Sequence, residues 1–298
     1  MTVTTFRLLN YLFSLPLLLR VLLLLLAVTT TPVCSVSTSL GDHFIVLEEL
    51  PHDDKSFTQG LTYDNDSNRL FESAGLYSRS DIRQVDPVTG TVLQKSDYPK
   101  TDFAEGITIY QDAEGKSRLI GITWKQQNGY IYDPDNLDIA PQKFKYETHT
   151  NEGWGITYND KTQEFIVTDG SNWLHFWDRD TLKEKRRIQV VYIAATTKSA
   201  GGSTLLTMDQ DRLNEIELLV DNGDDGNYIL SNVWETDRIV KIDIRTGVIA
   251  RMYDFSSLYT NRANSANVLN GISTTDVEGE YWVTGKLWPK MYRVKLLI

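Results

Sequence analysis

Five short segments of this 298-residue chain resemble one another, and this repeat limits the possible folds more than any other feature. Each segment has a polar or aromatic residue, then glycine in all but one case, then Ile or Leu and another polar residue. The segments are Gln59–Thr62, Glu105–Thr108, Trp154–Thr157, Asn214–Glu217 and Asn270–Ser273. They recur about every 45 to 60 residues, a spacing typical of repeats that each fold as one supersecondary unit.

Each repeat predicts four β-strands. The first segment is followed by an apolar strand, such as Leu70–Glu72, and then by an alternating strand that ends in aspartate in four of the repeats. Turn residues and a further strand come next, and no long amphipathic helix is visible. The pattern predicts an all-β fold, a five-bladed β-propeller with four antiparallel strands per blade.

The repeat also predicts how the ring closes. The fifth repeat stops at Ile298 after its third strand, which would leave an unpaired sheet edge. An unassigned strand at 43–48 precedes the first repeat. We therefore expect it to pair with Tyr292–Leu296 as the outer strand of the last blade. The longest interval between repeats carries an insertion at Thr197–Ser203.

The N-terminus has the pattern of a secretory signal. Arg7 precedes a leucine-rich run at 8–28, and small residues follow it. The run is long enough for an uncleaved membrane anchor, although Pro16 and Arg20 interrupt it. We predict a signal peptide or signal anchor at 1–34, a short linker at 35–42 and the propeller at 43–298. The protein would be secreted or lumenal or, alternatively, membrane-anchored, and the Asn65-Asp66-Ser67 sequon fits glycosylation on that route.

Composition excludes several classes of function. The formal charge is −10, so nucleic acid is not an expected partner. The single cysteine, Cys34, lies before the propeller, and the four histidines form no metal-binding motif. The acidic stretch Asp221–Asn227 looks superficially like a calcium loop but lacks the closing glutamate, so we interpret it as a hairpin insertion. We expect no metal, no cofactor and a monomer.

The repeat predicts a binding site on the propeller axis. First strands line the centre of a propeller, so the leading residues of the five segments face one axis. These residues are Gln59, Glu105, Trp154, Asn214 and Asn270. Because each repeat places a different side chain on a shared frame, the ring favours a ligand site over a polar, water-filled channel mouth.

A second ring comes from the ends of the second strands. It contains Trp124, Asp169, Trp234 and Lys286, and Asp169 lies in a Thr-Asp-Gly-Ser turn that suits a capping role. Tryptophans in a concave site bind apolar or cationic groups. Glu105, the one carboxylate of the first ring, should be desolvated, with a raised pKa that suits a general acid/base. A structural ion pair is the alternative for Glu105.

Several motifs resemble one enzyme family. They include FTQGLTY (57–63), FAEGIT (103–108), EGWGIT (152–157), VLNGI (268–272) and VTGKLWP (283–289). Together the matches span residues 43–298 in order and resemble the plant- and bacterial-type glutaminyl cyclases, which are five-bladed propellers. The resemblance implies an aminoacyltransferase, a glutaminyl-peptide cyclotransferase that converts the N-terminal glutamine of peptides or proteins to pyroglutamate and releases ammonia.

The resemblance also implies roles for individual residues. The catalytic glutamate corresponds to Glu105, and the substrate pocket corresponds to Phe57, Gln59, Trp124, Trp154, Asn214, Trp234 and Lys286. Asn270 joins this set from the first ring. Two other functions stay open, a non-catalytic propeller that binds peptides or glycans and a calcium-dependent propeller lactonase or hydrolase.

Overall fold

The computed structural model describes residues 43–199, 202–219 and 226–297. The predicted signal segment at 1–34, the linker at 35–42 and most of the Asp221–Asn227 insertion lie outside these residues. Within the described ranges no helix is long and apolar enough to cross a membrane.

Twenty of the strands form five antiparallel sheets of four, one sheet per repeat. The first sheet contains β2 (Thr58–Asp64), β3 (Arg69–Ala74), β4 (Asp81–Val85) and β5 (Val92–Asp97). The second contains β6 (Ala104–Gln111), β7 (Ser117–Thr123), β8 (Asn128–Tyr132) and β9 (Gln142–Lys145). The third contains β10 (Ile156–Asn159), β11 (Glu164–Thr168), β12 (Trp173–Asp178) and β13 (Glu184–Gln189).

The fourth sheet contains β16 (Leu213–Leu219), β17 (Tyr228–Val233), β18 (Arg238–Asp243) and β19 (Ile249–Asp254). The fifth contains β20 (Leu269–Thr274), β21 (Glu280–Gly285), β22 (Lys290–Leu296) and β1 (Phe44–Pro51). The first strands of the five sheets contact one another in a closed cycle, in the order β2, β6, β10, β16, β20 and back to β2. The predicted five-bladed propeller is therefore confirmed.

Apolar side chains hold neighbouring blades together. Five buried clusters occur, one at each interface between adjacent sheets. At the interface of blades two and three, for example, Ile120 and Ile156 pack with Phe165 and Trp177, all of them buried. Because apolar burial is the main favourable contribution to folding, each blade depends on both of its neighbours.

The ring closes as the repeat predicted. β1 pairs antiparallel with β22, from Phe44 opposite Leu296 to Pro51 opposite Lys290, with a bulge between Val46 and Glu48. The Phe44 ring also stacks on Phe255 of blade four, with centroids 4.3 Å apart. The N-terminal strand therefore completes the last blade and contacts its neighbour.

The insertion between blades three and four is larger than the sequence suggested. It is a two-stranded hairpin of β14 (Val191–Ser199) and β15 (Gly202–Asp209), whereas the repeat pattern indicated only the stretch at 197–203. The hairpin has no counterpart in the other repeats, so the alignment of repeats could not reveal its two strands.

Close backbone contacts and one carboxyl group fill the centre of the ring. A Cβ atom on Gly106 would lie 2.7 Å from the Cα of Gly155, so the repeated glycines allow the first strands to approach closely. Glu215 replaces this glycine in the fourth repeat. Its carboxyl oxygens accept the N–H groups of Ile272 at 2.9 Å and Leu61 at 3.4 Å, so the buried side chain links blade four to blades five and one.

Candidate active site

A cavity of about 240 Å³ opens at the end of the ring where the first strands begin. Its lining is aromatic apart from two amides, one carboxyl group and one amine. The lining residues are Phe57, Gln59, Phe103, Glu105, Trp124, Trp154, Asn214, Trp234 and Lys286.

Backbone hydrogen bonds bring the two predicted rings together. In four of the blades, the residue that follows the second strand donates its N–H to the main-chain carbonyl of the residue that precedes the first strand. Trp124 donates to the Phe103 carbonyl at 2.9 Å, and Lys286 donates to the Val268 carbonyl at 3.0 Å. The strand register therefore places side chains from both rings around one cavity.

Asn270, from the first predicted ring, does not line the cavity. It is fully buried, and its amide nitrogen donates to the carbonyls of Thr58 at 3.0 Å and Gln59 at 3.3 Å. Asn270 thus holds the start of β2, which carries Gln59, and lies behind the surface that a substrate would contact.

Asp169 also lies away from the cavity. Its carboxylate accepts the Ser171 N–H at 3.2 Å, as the turn sequence indicated. It also forms a buried ion pair with His175, 3.1 Å away, which in turn contacts Glu184 at 2.7 Å. These carboxylates raise the pKa of His175 against the opposing effect of burial, and the cluster braces blade three.

Glu105 is the one carboxylate in the cavity lining. Its side chain accepts a hydrogen bond from the Gln59 amide nitrogen at 3.1 Å. Burial raises the pKa of Glu105 well above its ordinary value, nearby Lys286 opposes the rise, and Glu152 adds to it. The carboxyl group therefore binds its proton more tightly than an exposed glutamate does.

Lys286 is buried beside the same cavity. Burial lowers the pKa of its amine to about 8, although the charge of Glu105 acts in the opposite direction. Its Nζ lies 4.9 Å from the centre of the Phe57 ring. Among the described residues, no hydrogen-bond or ion-pair partner occupies this Nζ, so its donors are free for a ligand.

Asn214 presents an unused acceptor. Its side chain is buried, and its Oδ1 has no hydrogen-bond partner within the described part of the chain. Its main-chain carbonyl is held by the Thr168 hydroxyl at 2.7 Å. A buried polar atom without a partner is costly, which favours a ligand N–H at this position.

Two aromatic walls flank the polar groups. Trp154 and Trp234 meet edge to face with centroids 5.3 Å apart, and Phe103 meets Trp124 in the same way at 5.7 Å. The sequence interpretation missed Phe103. The repeat could have predicted Phe103, because it precedes Glu105 by two residues, as Phe57 precedes Gln59.

Glu152 is a second residue that the sequence interpretation missed. One of its oxygens accepts the indole N–H of Trp124 at 2.7 Å and that of Trp154 at 2.9 Å. Lys125 lies 3.6 Å from the other oxygen. Glu152 therefore fixes two walls of the cavity relative to each other, and its position inside the EGWG motif was the available signal.

The described residues contain no group of three or more His, Cys, Asp or Glu side chains arranged to hold a metal ion. None of the four histidines lines the cavity.

Comparison with known proteins gives a consistent result. A family profile described as "Glutamine cyclotransferase" matches residues 19–296. The chain is 34% identical over 257 residues to a glutaminyl-peptide cyclotransferase of Arabidopsis thaliana, covering 84% of this chain and 70% of the relative. The crystal structure of Myxococcus xanthus glutaminyl cyclase superposes with a TM-score of 0.65 at 24% identity, over 85% of this chain and 96% of that one.

Proposed function

Because the chain belongs to the glutamine cyclotransferase family, we propose that it converts the N-terminal glutamine of peptides and proteins to pyroglutamate with release of ammonia. The observation that supports this most is the buried carboxyl of Glu105. It lies with a raised pKa in an aromatic cavity that also holds a free amine and an unpartnered amide oxygen.

The reaction is an intramolecular aminolysis that needs no oxidant and no water. The α-amine, with a pKa near 8, enters in its neutral form and attacks the γ-amide carbon of its own side chain. A C–N bond to the α-nitrogen forms, and the C–N bond to the amide nitrogen breaks. Since both reacting groups belong to one residue, the enzyme has to hold the folded conformer and move protons.

Glu105 moves the proton in this proposal. Its carboxylate takes a proton from the attacking amine as the new bond forms, and the resulting acid gives that proton to the departing nitrogen, which leaves as ammonia. The raised pKa makes the carboxylate a stronger base for the first transfer than an exposed glutamate would be. The hydrogen bond from Gln59 holds the carboxyl group in position for both proton transfers.

Lys286 and Asn214 bind the polar groups of the substrate, its amide oxygen and an N–H. The free Nζ of Lys286 donates to the amide oxygen, which gains negative charge in the tetrahedral intermediate, a contribution of about 3–4 kcal/mol for donors of this type. The unpartnered Oδ1 of Asn214 accepts an N–H of the substrate. The indole and phenyl walls exclude water, which disfavours hydrolysis of glutamine to glutamate.

The alternatives fit the cavity less well. A calcium-dependent lactonase needs several oxygen ligands around the ion, whereas this lining contains a single carboxylate. Burial of a carboxyl group costs free energy, and in a propeller that only binds peptides no reaction would require a buried carboxyl group with a raised pKa.

Incubation of the purified protein with a glutaminyl dipeptide tests the proposal. We expect loss of ammonia from the peptide and equimolar ammonia in solution, with and without EDTA, and no reaction of the Nα-acetylated peptide, whose nitrogen cannot attack. Formation of the glutamyl peptide, or activity that EDTA abolishes and zinc or calcium restores, would contradict the proposed chemistry.

We also propose that the propeller acts as a monomer after entering the secretory route, with residues 1–34 as its signal peptide or anchor. The leucine-rich run supports this location. N-terminal sequencing of the protein from its native host distinguishes the two forms, since cleavage gives a new N-terminus near residue 35.

A further inference from the structure

A second cavity of about 400 Å³ lies beside the first, and Phe57 lines both. The two are also linked at Gly75, where an added Cβ would lie 2.4 Å from Phe103 and 2.7 Å from Gln59. A single aromatic side chain and a short loop therefore separate the cavity of Glu105 from this neighbour.

Three cations rim the second cavity at the end of the ring where Glu105 lies. Lys55 is in the β1–β2 connection, Arg79 in the β3–β4 connection and Lys100 in the β5–β6 connection. Because strands in each sheet alternate in direction, all three connections lie at the end where the first strands begin. All three side chains are exposed.

The second cavity carries excess positive charge. Its lining has five basic and three acidic residues, in a chain whose formal charge is −10. Arg83 is neutralised by Asp81 at 2.5 Å and Asp53 at 2.9 Å, and Lys95 is paired with Asp97. Within the described chain, Lys55, Arg79 and Lys100 have no such carboxylate partner. We call the second cavity with these three rim residues the basic groove.

We propose that the basic groove binds an acidic side chain of the substrate, at one of the few positions that follow its N-terminal glutamine. This inference rests on the proposed function. The glutamine occupies the cavity of Glu105, so the rest of the peptide must leave through its mouth. The groove shares the Phe57 wall with that mouth, and each extended residue advances the chain about 3.3–3.6 Å.

The charges set the expected size of the preference. Exposed ion pairs are weak, so each cation should favour a glutamate-containing peptide about two- to fivefold over a neutral one. Salt screens such pairs, and the preference should shrink in about 0.5 M NaCl. Lysine at the same position should be disfavoured, because it would approach the three cations with like charge.

A positional peptide series tests the inference. The substrates are Gln-Glu-Ala-Ala, Gln-Ala-Glu-Ala and Gln-Ala-Ala-Glu amides, each matched by its lysine counterpart. We expect the glutamate peptide to have the higher kcat/KM at one or more positions. Turnover with equal kcat/KM throughout would overturn the inference and leave the proposed function standing. No turnover of any peptide would contradict the proposed function, and the inference would fall with it.

Variants assign the preference to the groove. Arg79→Gln and Arg79→Glu should reduce the glutamate-to-lysine ratio stepwise, and Lys100→Glu should reduce it as well. Lys183→Glu is the matched control, since it makes the same charge change in the exposed β12–β13 turn at the opposite end of the ring. Thermal unfolding checks that each variant folds. A ratio that Arg79→Glu and Lys183→Glu change equally would overturn the assignment to the groove.

Discussion

At the scale of the residue, burial shifts the pKa values of two ionisable groups that line the cavity, Glu105 and Lys286. It raises the pKa of Glu105 and lowers that of Lys286 to about 8, because an apolar wall disfavours charge on either group. Their mutual attraction opposes both shifts without cancelling them. In the proposed mechanism Glu105 starts as a carboxylate and Lys286 as an ammonium, so a rise in pH ionises the first group and discharges the second.

The pH profile of Lys286 variants tests this assignment. An ammonium with a pKa of about 8 loses its proton as the pH rises, so kcat/KM of the wild type should fall above about pH 8. Lys286→Gln should lower kcat/KM about 10²-fold and remove that descending limb. Lys286→Arg, which keeps its charge, should move the limb to higher pH. An unchanged limb in both variants would assign it to another group.

Most of the site residues could be predicted from the repeat, because equivalent positions in a propeller converge on one axis. Glu105 and Lys286 were found in this way. The repeat could not show that Asn270 turns its amide toward the backbone of the neighbouring strand, since side-chain direction depends on local packing. Glu152 was missed because its role is to hold two indoles, a contact between residues distant in the chain.

At the scale of the element, β1 determines whether the ring is complete. It supplies the outer strand of the fifth sheet, and the residue that follows it ties the blade further. His52 donates from Nδ1 to the Trp288 carbonyl at 2.7 Å and pairs through Nε2 with the buried Glu72 at 3.1 Å. The same region holds the Lys286 loop, because Leu287 donates its N–H to the Ser56 carbonyl.

Two truncations distinguish the role of β1 from that of the residues before it. Deletion of residues 1–38 should leave the propeller folded and active, whereas deletion of 1–50 should expose the edge of β22 and cause unfolding or aggregation. Size-exclusion chromatography and thermal unfolding of the two truncated proteins measure the difference. A monomeric, fully active 51–298 protein would show that β1 is not needed for closure.

The strands of the five repeats were predictable because each follows the same pattern of apolar runs and turns. The hairpin β14–β15 was not, since it occurs once and comparison among repeats gives no evidence for a unique insertion.

At the scale of the whole molecule, the five blades meet at a centre that contains a buried carboxyl group. Glu215 has two backbone N–H partners, and burial together with nearby Glu217 raises its pKa well above the ordinary value. The native state therefore favours the neutral acid. The repeat predicted that first strands would meet at this axis, but the replacement of one glycine by Glu215 had no assigned role in the sequence interpretation.

The pH dependence of stability tests the state of Glu215. Its pKa is higher in the folded chain than in the unfolded chain, so the native state binds the proton more tightly and stability falls as the pH rises above about 4.3. Glu215→Gln cannot ionise and should weaken this decline. Urea unfolding midpoints of the wild type and the variant, measured as a function of pH, give the size of the decline. Parallel curves for the two proteins would show that Glu215 does not carry the proton.

The central claim is that Glu105 shuttles the proton in the cyclisation of N-terminal glutamine, and the turnover of Glu105→Gln tests it most directly. The amide keeps the shape of the side chain and an oxygen for the Gln59 hydrogen bond, but it cannot exchange a proton. We predict a folded variant, with the thermal unfolding transition of a native propeller, whose kcat for pyroglutamate formation is about 10²–10⁴-fold lower than that of the wild type. Retention of more than about a tenth of the wild-type kcat would contradict the claim.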